Sequence, residues 1–413
     1  MSALRVQCKK LKNAGQILGR ANTREKNQAL KQVALSLKEN KENILAANKK
    51  DVEKAIANKM TDSLIDRLKL TDERIDAMID GIYTIMDLKD PIWKSNDVWT
   101  LENGLTVSKM TVPIGVIGII YESRPNVTVD AFAITLKSGN CVLLRGSSSS
   151  LNSNRALVLA IKEGLRNSPI SEDVVALVDD SDRAVVREML TLNEYIDLII
   201  PRGGKELIDM VIQNATVATI ETGVGNCHIY VDKDMNLAEA VDIIENAKVQ
   251  RPGVCNSIET LLVHNKVAHE LLPMVYDRIG SLVELRGCKK TQEIIKVKDA
   301  QEEDWYQEYL DYILSIKIVS DTKEAIEHIN KYGSKHSEAI LTQNLDNANI
   351  FLREVDAATV YVNASTRFTD GGEFGFGGEM GISTQKIHAR GPMGINELVT
   401  VKYTIVGNGQ IRG

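Results

Sequence analysis

Five cysteines, Cys8, Cys141, Cys227, Cys255 and Cys288, are scattered through 413 residues, and one of them is placed for chemistry. Cys255 lies in Arg251-Pro252-Gly253-Val254-Cys255-Asn256, a Pro/Gly turn between a helical stretch (237–249) and an apolar strand (258–263). A thiol is nucleophilic as its anion, and exposure beside a cation favours that anion. Cys141 opens an apolar strand, which suits a core residue. Cys227 precedes a strand and could be buried, and Cys8 and Cys288 have ordinary polar neighbours. On pattern alone, Cys255 is either a catalytic thiol or a residue of a plain turn.

Two further junctions suit an anion. Arg145-Gly146-Ser147-Ser148-Ser149-Ser150 follows the strand at 141–145, and Pro201-Arg202-Gly203-Gly204-Lys205 follows the strand at 196–200. Small residues at a strand-to-helix junction leave N–H groups open to a phosphate or ribose. A serine-rich N-cap is the plainer reading of the first. Neither string is GxGxxG or a P-loop, so a standard Rossmann assignment has no support. The run Gly371 to Gly381 lacks those spacings too, and is either a pocket-shaping loop or a surface loop. A metal is not expected. There is no CxxC or HExxH, His264 and His269 do not share a helical face well, and Cys227 and His228 on a strand point to opposite sides. His336 and His388 read as structural residues, and a GxSxG serine site is absent.

The elements that must carry these residues follow from periodicity. Residues 1–95 read as helices, with Ala29, Leu30, Val33, Ala34 and Leu37 on one face. The stretch 98–112 holds β-branched residues around Asn103-Gly104, a hairpin signal. Strands then alternate with helices, at 116–120, 141–145, 174–178, 196–200 and 217–220. This predicts a parallel sheet covered on both faces, with ligands at its carboxyl ends. A second α/β block has strands near 228–231, 258–263, 313–319, 338–342 and 358–363. A last strand, 398–406, could pair with the hairpin.

Bulk properties narrow the class. The formal net charge is −6 and no Lys/Arg tract occurs, so nucleic acid is not an expected partner. The N-terminus has no apolar core of a signal. The longest apolar run, 112–121, is broken by Pro113, Gly115 and Gly118, so no membrane span is expected. An odd number of dispersed cysteines suits a reducing, cytoplasmic setting.

The strings VPIGVIGIIYESRPNVTVDA (112–131), LLRGSSSS (143–150), PRGGKELI (201–208), ETGVGNCHIYVD (221–232), QRPGVCNSIETLLVH (250–264), VYVNASTRF (360–368) and FGFGGEMGISTQKIHARGPMG (374–394) occur in this order. Together they resemble the aldehyde dehydrogenase superfamily, and within it the γ-glutamyl phosphate reductase family, over essentially the whole chain. The resemblance implies an α/β fold of two parallel-sheet domains plus a small β oligomerisation arm. The cofactor domain would be 1–97 and 113–225, the catalytic domain 226–387, and the arm 98–112 with 398–413. The implied reaction, a step of proline biosynthesis, is NADPH-dependent reduction of L-glutamyl 5-phosphate to L-glutamate 5-semialdehyde through a Cys255 thioester.

The same resemblance implies the roles of single residues. Asn126 and the Cys255 N–H would hold the oxyanion. Glu221, 34 residues before Cys255, has the spacing of the general base in hydrolytic relatives. Water would waste a thioester here, so a role with the thiol proton and a structural remnant both remain open. Arg145, Gly146, Ser147, Ser148, Gly203, Gly204 and Glu308 would bind the cofactor. Ser148 stands where NAD-preferring relatives carry a ribose-gripping glutamate. Arg124, Arg251 and Arg367 would meet the substrate's anions, or else form structural ion pairs. A homo-oligomer, a stand-alone reductase and glutamate 5-kinase as functional partner are implied as well. The rival reading is a hydrolytic NAD-dependent aldehyde dehydrogenase.

Overall fold

The computed structural model describes residues 2–180 and 182–412. Amphipathic periodicity in the first stretch becomes five helices, Ala3–Leu18, Thr23–Glu39, Lys41–Ala57, Asp62–Leu68 and Asp72–Asp87. Asn22 and Glu25 start the second with a reciprocal capping box. Its buried Ala29, Leu30, Val33, Ala34 and Leu37 form the face read from the sequence. That helix packs on Leu151–Arg166 at Gly164.

Strands β1 (Ser95–Thr100) and β2 (Thr106–Pro113) pair antiparallel across the Asn103-Gly104 turn. Strands β3 (Val116–Tyr121), β4 (Cys141–Gly146), β5 (Val175–Leu177) and β6 (Leu198–Arg202) form a parallel sheet in the order β5-β4-β3-β6. Its apolar strands are covered on both faces. The strand expected at 217–220 is reduced to one bridge, Ile199 to Thr219. Ile199 exchanges both backbone bonds with that segment. The next residue of β6 facing the same way is Pro201, which has no N–H to extend the ladder.

The second sheet contains β7 (Cys227–Val231), β8 (Ile258–His264), β9 (Glu284–Gly287), β10 (Lys298–Asp299), β11 (Ile313–Val319), β12 (Ser337–Leu341) and β13 (Thr359–Val362). The order is β10-β9-β11-β8-β7-β12-β13 and every pairing is parallel. The edge strand β10 and its neighbour β9 were not expected from the sequence, because their residues are largely polar. Short strands β14 (Ile382–Ser383) and β15 (Gly391–Pro392) pair with each other. The last strand, β16 (Val399–Val406), pairs antiparallel with β2 and completes a three-stranded sheet.

The chain makes two units. One holds residues 1–221, 375–381 and 393–413, and the other holds 222–374 and 382–392. The division thus falls at Glu221, four residues before the boundary read from the sequence. The candidate ligand loops of the first unit follow β3, β4 and β6, at the carboxyl ends of the strands. In the second unit Cys255 precedes β8, so its turn lies at the amino end of that sheet.

A methyl group at Gly164 would fall 2.6 Å from Val33 Cα and 2.7 Å from the Gln32 carbonyl oxygen. Those are backbone atoms and cannot rotate aside. Gly164→Ala is therefore expected to destabilise by roughly 1–3 kcal/mol despite alanine's better helix propensity. Urea unfolding measures it, and a stabilised variant would contradict this packing.

Candidate active site

The Cys255 turn is anchored at both ends. Ser257 donates its Oγ–H to the Ala247 carbonyl at 3.1 Å and its N–H to the Val254 carbonyl. Asn256 donates from Nδ2 to the carbonyls of Thr369 (2.9 Å) and Arg367 (3.2 Å), and Thr366 Oγ1 donates to the Asn256 carbonyl at 2.6 Å. These bonds hold the turn to the short 3-10 helix Thr366–Phe368. Cys255 itself is half-buried, whereas Cys8, Cys141 and Cys227 are fully buried. Burial pushes the Cys8 and Cys141 thiols up to about 12 and Cys227 well above its ordinary value. Those three are held as thiols, inert as nucleophiles.

One of the three expected substrate arginines, Arg367, is bonded to the residue that follows Cys255. Arg367 is half-buried and donates to Gln250 Oε1 at 3.0 Å and to Asn256 Oδ1. Burial and the neighbouring Arg251 pull its guanidinium below the ordinary value, and the Cys255 sulfur pulls the other way. Arg367 thus lies within the electrostatic reach of both Arg251 and the Cys255 sulfur. Glu308 is beside the same turn. Its Oε1 accepts the Gly225 N–H at 2.7 Å, and a side chain at Gly225 would overlap the Cys255 carbonyl.

In the first unit the two anion junctions differ. The helix that follows the serine turn, Leu151–Arg166, has its first donors taken. Buried Asp51 accepts the Ser153 N–H (2.7 Å), the Ser153 hydroxyl (2.6 Å) and the Asn152 side-chain amide (2.8 Å). Ser150, the N-cap of that helix, makes no side-chain cap bond; Asp51, from a distant helix, takes the donors instead, which the sequence did not suggest. Upstream of it, Ser147 Oγ accepts the Ser149 N–H, Ser148 is exposed, and Arg145 is half-buried with its guanidinium pulled down by burial. At the second junction, Gly204 caps the helix Lys205–Asn214 and donates its N–H to Glu122 Oε2 at 2.9 Å. Glu122 is exposed, so this carboxylate can leave. Nothing in the local sequence links Asp51 to Ser153 or Glu122 to Gly204, because each pair is joined only by the fold.

Asn126 opens the helix Asn126–Lys137 after β3, and its Nδ2 donates to Asp130 Oδ2 at 3.0 Å. Burial pushes the Asp130 carboxyl up to about 6, while Asn126 and Arg202 act against that. Arg202 in turn lies 3.8 Å from Glu379. Arg124 lies in the loop between Tyr121 and that helix, and Glu221 follows the bridged segment; both are half-buried. Among the described residues no group of three His, Cys, Asp or Glu side chains could hold a metal, and no helix is long and apolar enough to cross a membrane.

A thiol on a turn before a parallel strand, in a two-sheet α/β chain, matches one known architecture. The chain belongs to the aldehyde dehydrogenase family, whose model matches residues 7–312 and 294–404. More particularly, it is 71% identical over 412 residues to the gamma-glutamyl phosphate reductase of Alkaliphilus metalliredigens (strain QYMF), covering 100% of both chains. The crystal structure of gamma-glutamyl phosphate reductase from Thermotoga maritima superposes with a TM-score of 0.97 at 53% identity, covering 100% of both chains. An acetylating aldehyde dehydrogenase from Geobacillus thermoglucosidasius shares the fold, with a TM-score of 0.72 at 16% identity over 99% of this chain and 97% of that one. The aldehyde-dehydrogenase-like fold expected from the sequence is thus the one present.

The Asp130 carboxyl predicts a pH dependence of stability. Its native pKa is raised from 3.8 to about 6, so the native state holds this proton more tightly than the unfolded chain. The contribution is complete below 3.8 and is lost as pH rises through about 6. Denaturation midpoints taken between those values should therefore fall with pH in the parent relative to Asp130→Asn. Parallel curves would refute the assignment.

Proposed function

We propose that the chain reduces L-glutamyl 5-phosphate to L-glutamate 5-semialdehyde, releasing phosphate, through a thioester on Cys255. The carrying observation is the half-buried Cys255 thiol on a turn whose next residue, Asn256, receives the Arg367 guanidinium. The Cys255 thiolate attacks the acyl carbon, the carbon–oxygen bond to phosphate breaks, and phosphate leaves with the electron pair. The Cys255 N–H and the Asn126 amide are proposed as donors to the oxyanion. Arg251, Arg367 and Arg124 are proposed to hold the phosphate and α-carboxylate. After reduction the carbon–sulfur bond breaks, the aldehyde departs and Cys255 regains its thiolate. Glu221 is proposed to handle the thiol proton rather than to activate water.

Family membership implies a nicotinamide cofactor, which supplies the hydride for the thioester carbon when bound. The residues present fit such a group. Arg145, Gly146, Ser147 and Ser148 end one strand, and the exposed Gly203-Gly204 turn starts a helix. NADPH is the proposed form, because Ser148 does not repel a 2′-phosphate and Arg145 can attract it. Glu308 is proposed to serve the nicotinamide ribose, in exchange for its present bond to Gly225. A small-molecule substrate, a cytoplasmic setting, glutamate 5-kinase as functional partner and a homo-oligomer complete the reading. Exposed Val98, Trp99, Val401, Tyr403 and Ile405 on the three-stranded arm support assembly through it. The hydrolytic NAD-dependent alternative is not favoured, since the close full-length relatives carry the reductase name.

Purified protein given glutamate semialdehyde, NADP and phosphate should form NADPH. Omission of phosphate should abolish this, and Cys255→Ala should give none. Activity surviving in that variant would overturn the mechanism, and phosphate-independent oxidation would restore the hydrolytic reading. The Gly204 contact makes a separate prediction about binding. If the turn receives the cofactor's pyrophosphate, Glu122 competes with it, so Glu122→Ala should bind NADPH tighter by roughly 5-fold, on the order of one hydrogen bond. Titration by nicotinamide fluorescence measures this, and weaker binding in the variant would place the pyrophosphate elsewhere.

A further inference from the structure

Cys227 has no part in the reaction described above, yet it touches the nucleophile's own peptide. It is the first residue of β7 and is wholly buried. Its Sγ lies 3.1 Å from the Cys255 carbonyl oxygen. The other possible acceptor near the sulfur is His336 Nδ1, at 3.7 Å; the Ser337 backbone N–H also faces the sulfur, as a donor to it. Which of the two accepts the thiol proton follows from the hydrogens around His336.

Burial pulls the His336 imidazole down to about 4, so the ring is neutral near pH 7 and carries one N–H. Ser337 Oγ donates to Thr369 Oγ1 at 2.7 Å, which spends its proton. Ser337 can therefore meet His336 Nδ1, 2.8 Å away, only as an acceptor. The His336 proton then sits on Nδ1, and that nitrogen cannot accept from Cys227. The Cys255 carbonyl is left to receive the Cys227 S–H. Burial holds Cys227 protonated, so this donor persists across the working pH range.

Beside this contact a separate chain runs from the His336 Nδ1–H through Ser337 to Thr369, whose carbonyl accepts Asn256 Nδ2 at 2.9 Å, while His336 meets the Cys227 sulfur at 3.7 Å as a packing neighbour. Tyr361 joins at Thr369 Oγ1, 2.8 Å away. Gly225 closes on the same carbonyl, leaving no room for a side chain. The Cys255–Asn256 peptide is thus fixed by a donor, by steric contact and by its own amide side chain.

We propose that Cys227 is a positioning residue, whose S–H pins the Cys255–Asn256 peptide and thereby sets the orientation in which the Cys255 thiol meets the acyl carbon. The inference rests on Cys255 being the nucleophile. The role is a donor's role, not merely a volume's, and that separates it from simple core packing.

Three variants divide the possibilities. Cys227→Ser keeps a donor, Cys227→Val keeps bulk without one, and Cys227→Ala removes both. Two readouts are taken on each folded variant: the pH profile of Cys255 alkylation by iodoacetamide, followed by peptide mass, and kcat and KM in the phosphate-dependent reverse assay. Val and Ala should lower kcat and the alkylation rate by roughly 3- to 10-fold, about the worth of one weak hydrogen bond. KM for phosphate should change little, because the arginines are untouched, and Ser should recover most of the loss. Val and Ala variants within 2-fold of the parent, or a Ser variant as impaired as Ala, would overturn the proposal. A further readout does not depend on activity. The infrared S–H stretch that disappears in Cys227→Ser should lie below the free-thiol frequency in the parent, and a band at the free frequency also overturns it. Cys255→Ala is the control: reverse activity in that variant sinks the nucleophile itself, whereas loss there with indifferent Cys227 variants sinks only the positioning role.

Discussion

The catalytic turn depends on a buried ion pair at its base. Lys248 and Glu259 are both fully buried, 2.6 Å apart. Lys248 belongs to the last turn of the helix Leu237–Val249, and Glu259 is the second residue of β8. The Lys248 ammonium also donates to the Ile258 carbonyl at 3.0 Å. Residues 250–257, with Cys255 among them, are therefore a loop whose two ends are pinched together. Burial pulls the lysine down and pushes the glutamic acid up to about 7, so the pair stands against its own desolvation. Removing one partner from such a pair costs about 3–5 kcal/mol, because the other is left uncompensated. Glu259 Oε1 also accepts the Leu310 N–H at 3.2 Å, two residues past the Glu308 that holds Gly225. One pair thus ties the Cys255 turn to the segment that carries Glu308.

The two units use opposite ends of their parallel sheets for opposite tasks. In the first, loops leave the carboxyl ends of strands and lead into helices, whose N-termini offer amide donors to an anion. There, the difference between Asp51 and Glu122 decides which terminus is open. Asp51 is buried and accepts four hydrogen bonds, so it is a permanent cap, whereas Glu122 is exposed and holds one N–H. In the second unit the thiol stands ahead of β8, and Cys227 and His336 stand at the starts of β7 and β12. Adjacent strand starts bring residues far apart in sequence within bonding distance of one peptide. A carboxyl-end rule alone would have looked for the nucleophile at the wrong edge.

What the sequence made legible was local. The Cys255 turn declared itself by Pro252 and Gly253, the hairpin by Asn103-Gly104, and the central strands by unbroken apolar runs. The short strands β9 and β10 had no such run: β10 is exposed and held by its backbone pairing, and β9 contributes one apolar side chain, Leu285, to the core. The reason that 217–220 is not a full strand was present in the sequence, as Pro201, but only the register of β6 shows which edge its missing N–H faces. Glu308 stood out through a loose resemblance, and its bond to Gly225 depends on a contact across 83 positions. Cys227 looked like an ordinary core thiol. Its significance lies in what its one proton faces, and no periodicity reports that.

Asn256 couples the two demands on this site. Its carbonyl and side-chain amide are held by Thr366, Arg367 and Thr369, while its Oδ1 receives the Arg367 guanidinium. Arg367 is therefore bonded to the residue next to Cys255. Any shift of Arg367 must pull on Asn256, and Asn256 carries the peptide whose carbonyl Cys227 and Gly225 confine. Anchoring that carbonyl limits how far the pull can travel.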